Sequence, residues 1–416
     1  MRALLSLLLV SNIAAPVSAQ DEGERSGVAV SAVLLREGGA SIAHASAVSI
    51  GLRRGFAEVE GVSYVHPVDA LSTPMISEDL QMAMDELEPI ADMVRTGDAR
   101  AAYQRADEIV ELFEQNLEAV RRSQLVDAYM LAAIGRCRAG ETRECEERVR
   151  RIIAFREALD YDIDRYGPES IDNFDRARSR ALSGARGTLI VETDPPGAEV
   201  YIDGRSYGPS PAPAEGLLVG AHYVTVKELG YEKLIARADV VSGRAREEHY
   251  ALGRNARAQL ILSDSSQAAI RGELGEQRAG EAIRSLGNTL VAAQIVVGVL
   301  RPAAGGRVHV QLYLYHVTTR LLQASEEATV SLDEAGMERA RQLATDLYAG
   351  VDLSGGIAAP DDPLIGRQPE LHEQWWFWTA IGAGVALIVG AIAIGVGVAD
   401  QQPVPDGFVR WGGMLP

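Results

Sequence analysis

The sequence predicts a multidomain α+β protein that combines a helical-repeat-like segment, a small all-β module and an α/β domain, and that ends in a C-terminal transmembrane helix. Three observations predict this class. The chain has 416 residues, enough for roughly two to four domains. Its apolar fraction of 47% supplies packed cores and excludes general disorder. Stretches of helical, alternating and continuous apolar spacing also follow one another along the chain.

The charge balance excludes some classes of partner. The chain carries 58 acidic against 40 basic residues, a net charge of −18, so phosphate backbones repel it and we expect no nucleic-acid partner. Only Lys227 and Lys233 are lysines. Neither follows a glycine, so the sequence has no phosphate-binding loop of the Gly-Lys-Ser/Thr kind.

Residues 1–19 have the pattern of a secretory signal peptide. A single positive charge precedes a short apolar run at 4–10, and small residues stand before Ala19. We expect cleavage after Ala19, with an uncleaved anchor as the alternative. The run is too short to span a bilayer comfortably.

Residues 27–71 read as an α/β half-domain of the form strand, helix, strand. The apolar, β-branched run at 28–35 is typical of a buried strand, 40–56 is compatible with a helix, and 62–65 is a second strand closed by Pro67. Two strands and a helix do not form a stable unit by themselves. The half-domain therefore needs a partner from elsewhere in the chain.

Residues 77–183 are predicted to be helical. Ser77 precedes two acids as a helix N-cap would, and apolar residues recur at helical spacing from Leu80 to Ala91. Residues 125–155 resemble one tetratricopeptide-like helix pair, which implies a helical-repeat scaffold. An ordinary helical bundle fits the segment equally well.

The two cysteines, Cys137 and Cys145, flank a predicted turn at Gly140 between two antiparallel helices. A disulfide there suits an oxidising compartment, and free thiols are the alternative. The surrounding sequence offers too few ligands for a metal site.

Residues 186–253 carry turn chemistry at regular intervals between alternating strands. Proline followed by glycine suits a type II turn, and aspartate followed by glycine suits a tight hairpin. The motif and turn residues are Pro195, Pro196, Gly197, Ala198, Asp203, Gly204, Gly230 and Tyr231.

This stretch resembles the PEGA domain family, small all-β modules of bacterial and archaeal envelope proteins. The family's Pro-Glu-Gly-Ala motif stands here as Pro195-Pro196-Gly197-Ala198, so Pro196 replaces the glutamate. The resemblance implies binding of surface-layer or cell-wall material and brings no catalytic residues. This replacement removes an acidic side chain from the turn and stiffens it.

Residues 258–351 return to an α/β pattern, with a helix ending near 287, strands at 291–300 and 308–316, a third strand from 321 and a helix at 332–350. This order is similar to the second half of α/β domains in periplasmic lipoproteins and in TolB-type N-terminal domains. Residues 27–71 look like the missing first half. The α/β domain could therefore be split across the chain, with separate subdomains as the alternative.

The C-terminal region is predicted to span a membrane. Residues 355–373 form a proline-containing linker, 375–399 an uncharged transmembrane helix, and 400–416 a short cytoplasmic tail. Trp375, Trp376 and Trp378 are expected to anchor the span at the headgroup layer. Small residues recurring every four positions in the span offer a candidate homodimer contact.

A search for catalytic chemistry finds no zinc-protease pair of histidines and no Gly-x-Ser-x-Gly elbow. We therefore expect no enzyme activity, no catalytic or metal-binding residues and no cofactor; an unrecognised hydrolase is a minor alternative. The expected protein is single-pass in a bacterial inner membrane with its bulk in the periplasm, and binds or scaffolds an envelope protein or cell-wall polymer. The main alternative is a periplasmic sensing or regulatory subunit that signals through its span.

Overall fold

The computed structural model describes residues 27–72, 74–351 and 353. The predicted signal peptide, linker, transmembrane helix with its three tryptophans, and cytoplasmic tail lie outside these residues. Within the described part of the chain, no helix is both long and apolar enough to cross a bilayer.

The first elements follow the predicted strand, helix, strand order and add a short helix. They are β1 (Val28–Arg36), α1 (Ile42–Phe56), β2 (Val62–Tyr64) and α2 (Pro67–Leu71). Helix α1 begins where the Ser41 side chain accepts a hydrogen bond from the His44 amide, and α2 begins with a proline at its first turn.

Residues 78–182 form the predicted helices. They are α3 (Glu78–Asp85), α4 (Leu87–Thr96), α5 (Ala99–Gln115), α6 (Arg122–Arg138), α7 (Thr142–Phe155), α8 (Ile163–Tyr166) and α9 (Ile171–Leu182). Ser77 is the N-cap of α3, as predicted, and Gly97 ends α4 with a φ of 106°. Helix α6 is buried along most of its length, which places it at the centre of this segment.

Residues 186–251 form seven strands and no helix. They are β3 (Arg186–Asp194), β4 (Glu199–Ile202), β5 (Arg205–Pro209), β6 (Ala212–Leu218), β7 (Gly220–Lys227), β8 (Leu234–Val240) and β9 (Ala245–Ala251). One sheet has the order β6-β3-β9 and the other β5-β4-β7-β8. Their inner side chains form one apolar core that includes Leu189, Val200 and Val224. We call these strands the β module.

The last elements complete the α/β domain. They are α10 (Ala256–Ile261), α11 (Asp264–Glu273), α12 (Glu281–Thr289), β10 (Gln294–Ala303), β11 (Arg307–His316), β12 (Leu322–Val330) and α13 (Glu334–Leu347). The predicted start of strand β10 at 291 is wrong, because Val291 has a φ of 52°, which a strand does not adopt. Helices α10 and α11 were not predicted.

The two pieces of the α/β domain lie in one sheet of order β12-β11-β10-β1-β2. Strand β1 runs parallel to both neighbours, with Val30 opposite Gln294 on one side and opposite Tyr64 on the other. Helices α1 and α13 cover one face and α10 and α12 the other, each over its own apolar core. The helices α3–α9 and the β module are therefore inserted in the chain between β2 and β10, the two strands that flank β1 in the sheet.

Candidate functional site

The predicted turn at Pro195–Ala198 packs against the α/β domain. Gly197 is buried with a φ of 94°, and a Cβ added to it would lie 2.6 Å from the Ala43 backbone nitrogen at the start of α1. Only glycine combines that φ with so close an approach. The motif residues therefore serve a contact within the chain.

The second predicted turn is a two-residue hairpin between β4 and β5. Asp203 and Gly204 have φ values of 52° and 79°, as a type I′ turn requires. One Asp203 oxygen lies 2.6 Å from Nδ1 of the buried His222, and the other accepts a hydrogen bond from the Tyr223 amide. Nε2 of His222 lies 2.7 Å from the Leu218 carbonyl oxygen.

Because both ring nitrogens of His222 face acceptors, the imidazole satisfies both only when it is protonated. Burial would lower the pKa of His222, but the hydrogen bond and charge of Asp203 and the Leu218 carbonyl together raise it. This buried ion pair fixes the hairpin turn to β7.

The third predicted turn, at Gly230 and Tyr231, rests on α10. Gly230 has a φ of 106°, and its carbonyl oxygen accepts hydrogen bonds from the Asn255 amide and the Gln259 side chain. The turn thus ties the β module to the α/β domain at a second place.

A buried carboxylate lies between the β module and the α/β domain. Glu199, at the start of β4, is 4% exposed. It accepts a hydrogen bond from Tyr201, and one of its oxygens lies 3.3 Å from Nε2 of His66, the residue that caps α2. Burial would raise the pKa of Glu199, but nearby His66 and hydrogen bonds from His66, Ser49 and Tyr201 hold it below the usual value.

Both lysines of the chain meet one carboxylate of α2. Lys227 Nζ lies 2.5 Å and Lys233 Nζ 3.5 Å from Asp69. Burial would raise the pKa of Asp69, but the charge of Lys227, with His66 and Lys233, lowers it to about 2. The Arg53 guanidinium of α1 stacks 4.9 Å from the centre of the Tyr201 ring.

These contacts lie along α1 and α2, beside the end of the edge strand β2. Gly197 meets the start of α1, Tyr201 meets Arg53 in the last turn of α1, and Glu199 meets the residue that caps α2. We call this contact the strand-end junction; its residues are Arg53, His66, Asp69, Gly197, Glu199, Tyr201, Lys227 and Lys233.

The opposite contact of the β module is with the helical segment. Tyr223 of β7 donates to Glu114 of α5 at 3.0 Å, and Tyr129 of α6 donates to the same carboxylate. Arg237 of β8 binds both Glu114 oxygens. The Tyr223 ring also packs edge-on against Phe155 of α7, with centroids 5.0 Å apart.

Within the helical segment, Cys137 of α6 and Cys145 of α7 form a disulfide, with Cα atoms 5.1 Å apart. Both cysteines are buried. Over the described ranges, no group of three or more His, Cys, Asp or Glu side chains is arranged to hold a metal ion.

Sequence reasoning located the turns but missed the residues that the β module brings to the strand-end junction. Glu199, His66 and Asp69 are ordinary residue types in unremarkable positions, and docking brings them together. One signal was available: the only two lysines of the chain stand six residues apart on either side of a turn.

Comparison with known proteins identifies one part of the chain. A search of curated proteins finds no match to the chain. The model of the PEGA domain family matches residues 186–254, which are the β module with its two sheets and its glycine-dependent turns. The chain therefore contains a PEGA domain.

Proposed function

We propose that this chain is a non-catalytic, membrane-anchored envelope protein that binds or scaffolds cell-envelope polymer or protein partners through its PEGA and helical segments. The observation that carries the proposal is that the PEGA domain contacts both other parts of the described chain. It meets α1 and α2 at the strand-end junction and meets α5, α6 and α7 through Tyr223. A domain that holds two others in a fixed relation suits a scaffold.

One turn of the PEGA domain lies outside these contacts. A Cβ added at Gly243, between β8 and β9, would meet no atom within 4 Å. Arg244 follows Gly243 at the start of β9, is exposed, and has no ion pair with any described residue. Strand β9 is an edge strand with mostly exposed side chains. We assign partner binding to this side of the domain.

Location in the inner membrane, with the bulk of the chain in the periplasm, rests on the sequence of residues 1–19 and 375–399. The disulfide supports an oxidising compartment. Protease added to spheroplasts should degrade the middle of the chain, and a carbonate wash should leave the chain with the lipid fraction. Protection from protease or release by carbonate would contradict this location.

Polymer binding is tested by sedimentation of the purified full chain with isolated cell-wall sacculi. We expect co-sedimentation of the wild type and several-fold weaker binding of Arg244→Glu. The matched control is Arg339→Glu on α13, an equal change of charge on an exposed side chain of the α/β domain. Equal binding by both variants would remove this surface from the proposal, and absence of binding by the wild type would exclude the cell-wall polymer as the partner.

The alternative is a sensing or regulatory subunit that signals through its span. It is favoured by the charged groups of the strand-end junction, because a contact held by ion pairs such as Asp69 with Lys227 can be opened by a charged ligand that competes for them. Deletion of residues 400–416 distinguishes the two: loss of a cytoplasmic response supports the sensor, whereas a scaffold keeps its periplasmic binding.

A further inference from the structure

One titratable side chain at the border of the strand-end junction takes part in none of the contacts described so far. Glu228 directly follows β7 and is 8% exposed. The next residue, Leu229, packs against the α/β core that contains Leu35 and Leu71. The carboxyl group is therefore buried at the point where the PEGA domain inserts a turn into the α/β domain.

No described residue donates a hydrogen bond to the Glu228 carboxyl group. Two charges act on it from the elements packed around it: Arg36 at the end of β1 favours the ionised form, and Glu199 of β4 opposes it. The preceding Lys227 is directed to Asp69 instead. Burial, opposed by Arg36 and assisted by Glu199, raises the pKa of Glu228 to about 8.

We propose that Glu228 makes the docking of the PEGA domain on the α/β domain proton-dependent. The docked state buries the neutral acid, and undocking exposes the carboxylate and releases its proton to water. The inference concerns the described domains only and does not depend on the envelope role proposed above.

The direction of the dependence follows from proton linkage. An exposed glutamate ionises near pH 4.3, whereas docked Glu228 keeps its proton to about pH 8. Between these values the docked state holds more protons than the undocked state, so docking weakens as pH rises, by up to about tenfold per pH unit. Docking is strongest below about pH 4.3 as far as Glu228 is concerned, and above about pH 8 it weakens no further.

Hydrogen exchange of the full chain, expressed as protection factors, measures docking at about pH 5.5 to 9. We expect the amides of α1 and β4 at the junction to lose protection with rising pH relative to those of α6, which lies in a separate core. Glu228→Gln keeps the shape of the side chain and should be insensitive to this effect. Any slope left in that variant belongs to other titratable groups of the junction.

Two further variants complete the test. Arg36→Gln removes the charge that favours ionisation, so the pH at which protection levels off should move upward. Glu215→Gln, an exposed glutamate of β6, should behave like the wild type. The proposal is overturned if wild type and Glu228→Gln lose junction protection equally with pH, or if Arg36→Gln moves the plateau to lower pH.

Discussion

Replacement of Gly197 by alanine tests whether the PEGA turn is docked on α1. The chain contains a matched control in Gly208, which has a φ of 97° against 94° for Gly197. An added Cβ at Gly208 meets no atom within 4 Å, whereas at Gly197 it meets Ala43 backbone atoms at 2.6 and 3.0 Å. The two substitutions therefore share the backbone strain and differ in the contact.

The magnitude follows from these two contributions. Placing a side chain in the left-handed region costs about 1–2 kcal/mol at either position. The overlap with Ala43 adds about 1–3 kcal/mol, as overpacking of a close contact does. Gly197→Ala should therefore lower the free energy of unfolding by about 2–5 kcal/mol and Gly208→Ala by about 1–2 kcal/mol.

Urea denaturation followed by circular dichroism measures the total loss, and hydrogen exchange locates it. Gly197→Ala should reduce protection at the start of α1, and Gly208→Ala should leave that protection unchanged. Equal losses of stability in the two variants, with α1 protected in both, would refute docking of the turn on α1.

Three further predictions concern the buried groups. The pKa of His222 is raised in the folded state, so its stabilisation of the PEGA domain should be complete below about pH 6.5 and disappear as pH rises through the folded pKa. Urea denaturation at several pH values should show this pH dependence in the wild type and not in His222→Phe. At low pH the variant should also be less stable than the wild type by about 3 kcal/mol. Cys145→Ser should cost at least about 2.5 kcal/mol, the loop-closure contribution of a disulfide spanning 8 residues, and a reductant should destabilise the wild type but not the variant in thermal denaturation. Glu199→Gln removes a buried charge that accepts hydrogen bonds from Tyr201 and His66. It should lower the free energy of unfolding by about 2 kcal/mol and reduce hydrogen-exchange protection in α1. Unchanged protection would mean that the carboxylate does not hold the junction.

The parts of the fold that sequence predicted are those fixed by local chemistry. The Asp203-Gly204 hairpin follows from two residues that accept positive φ, and the Ser77 cap follows from one side chain beside its own helix. The strands β1 and β10 were identified because buried parallel strands are continuous apolar runs. The sequence left open whether they share a sheet, since periodicity carries no information about partners.

The strand-end junction could not be predicted for the same reason. Glu199 and His66 are 133 residues apart in sequence. Ala43 and Gly197 are separated by an even longer stretch of chain. Nothing in the local pattern around Glu199 marks it as buried, because glutamate at a strand start is normally exposed. Burial of Glu228 was equally unforeseen, since it arises from the insertion of a whole turn into another domain.

The interruption of the α/β domain has a consequence for how the chain matures. Val30 pairs with Gln294, so the first strand leaves the ribosome, and on the proposed topology crosses the membrane, long before its central neighbour exists. Loop closure over that length is slow and leaves apolar edges open to aggregation. The inserted domains can fold in the meantime, and their folding shortens the gap that β1 and β10 must close. On this reasoning β1, the first strand to be synthesised, is among the last elements to reach its final place in the sheet.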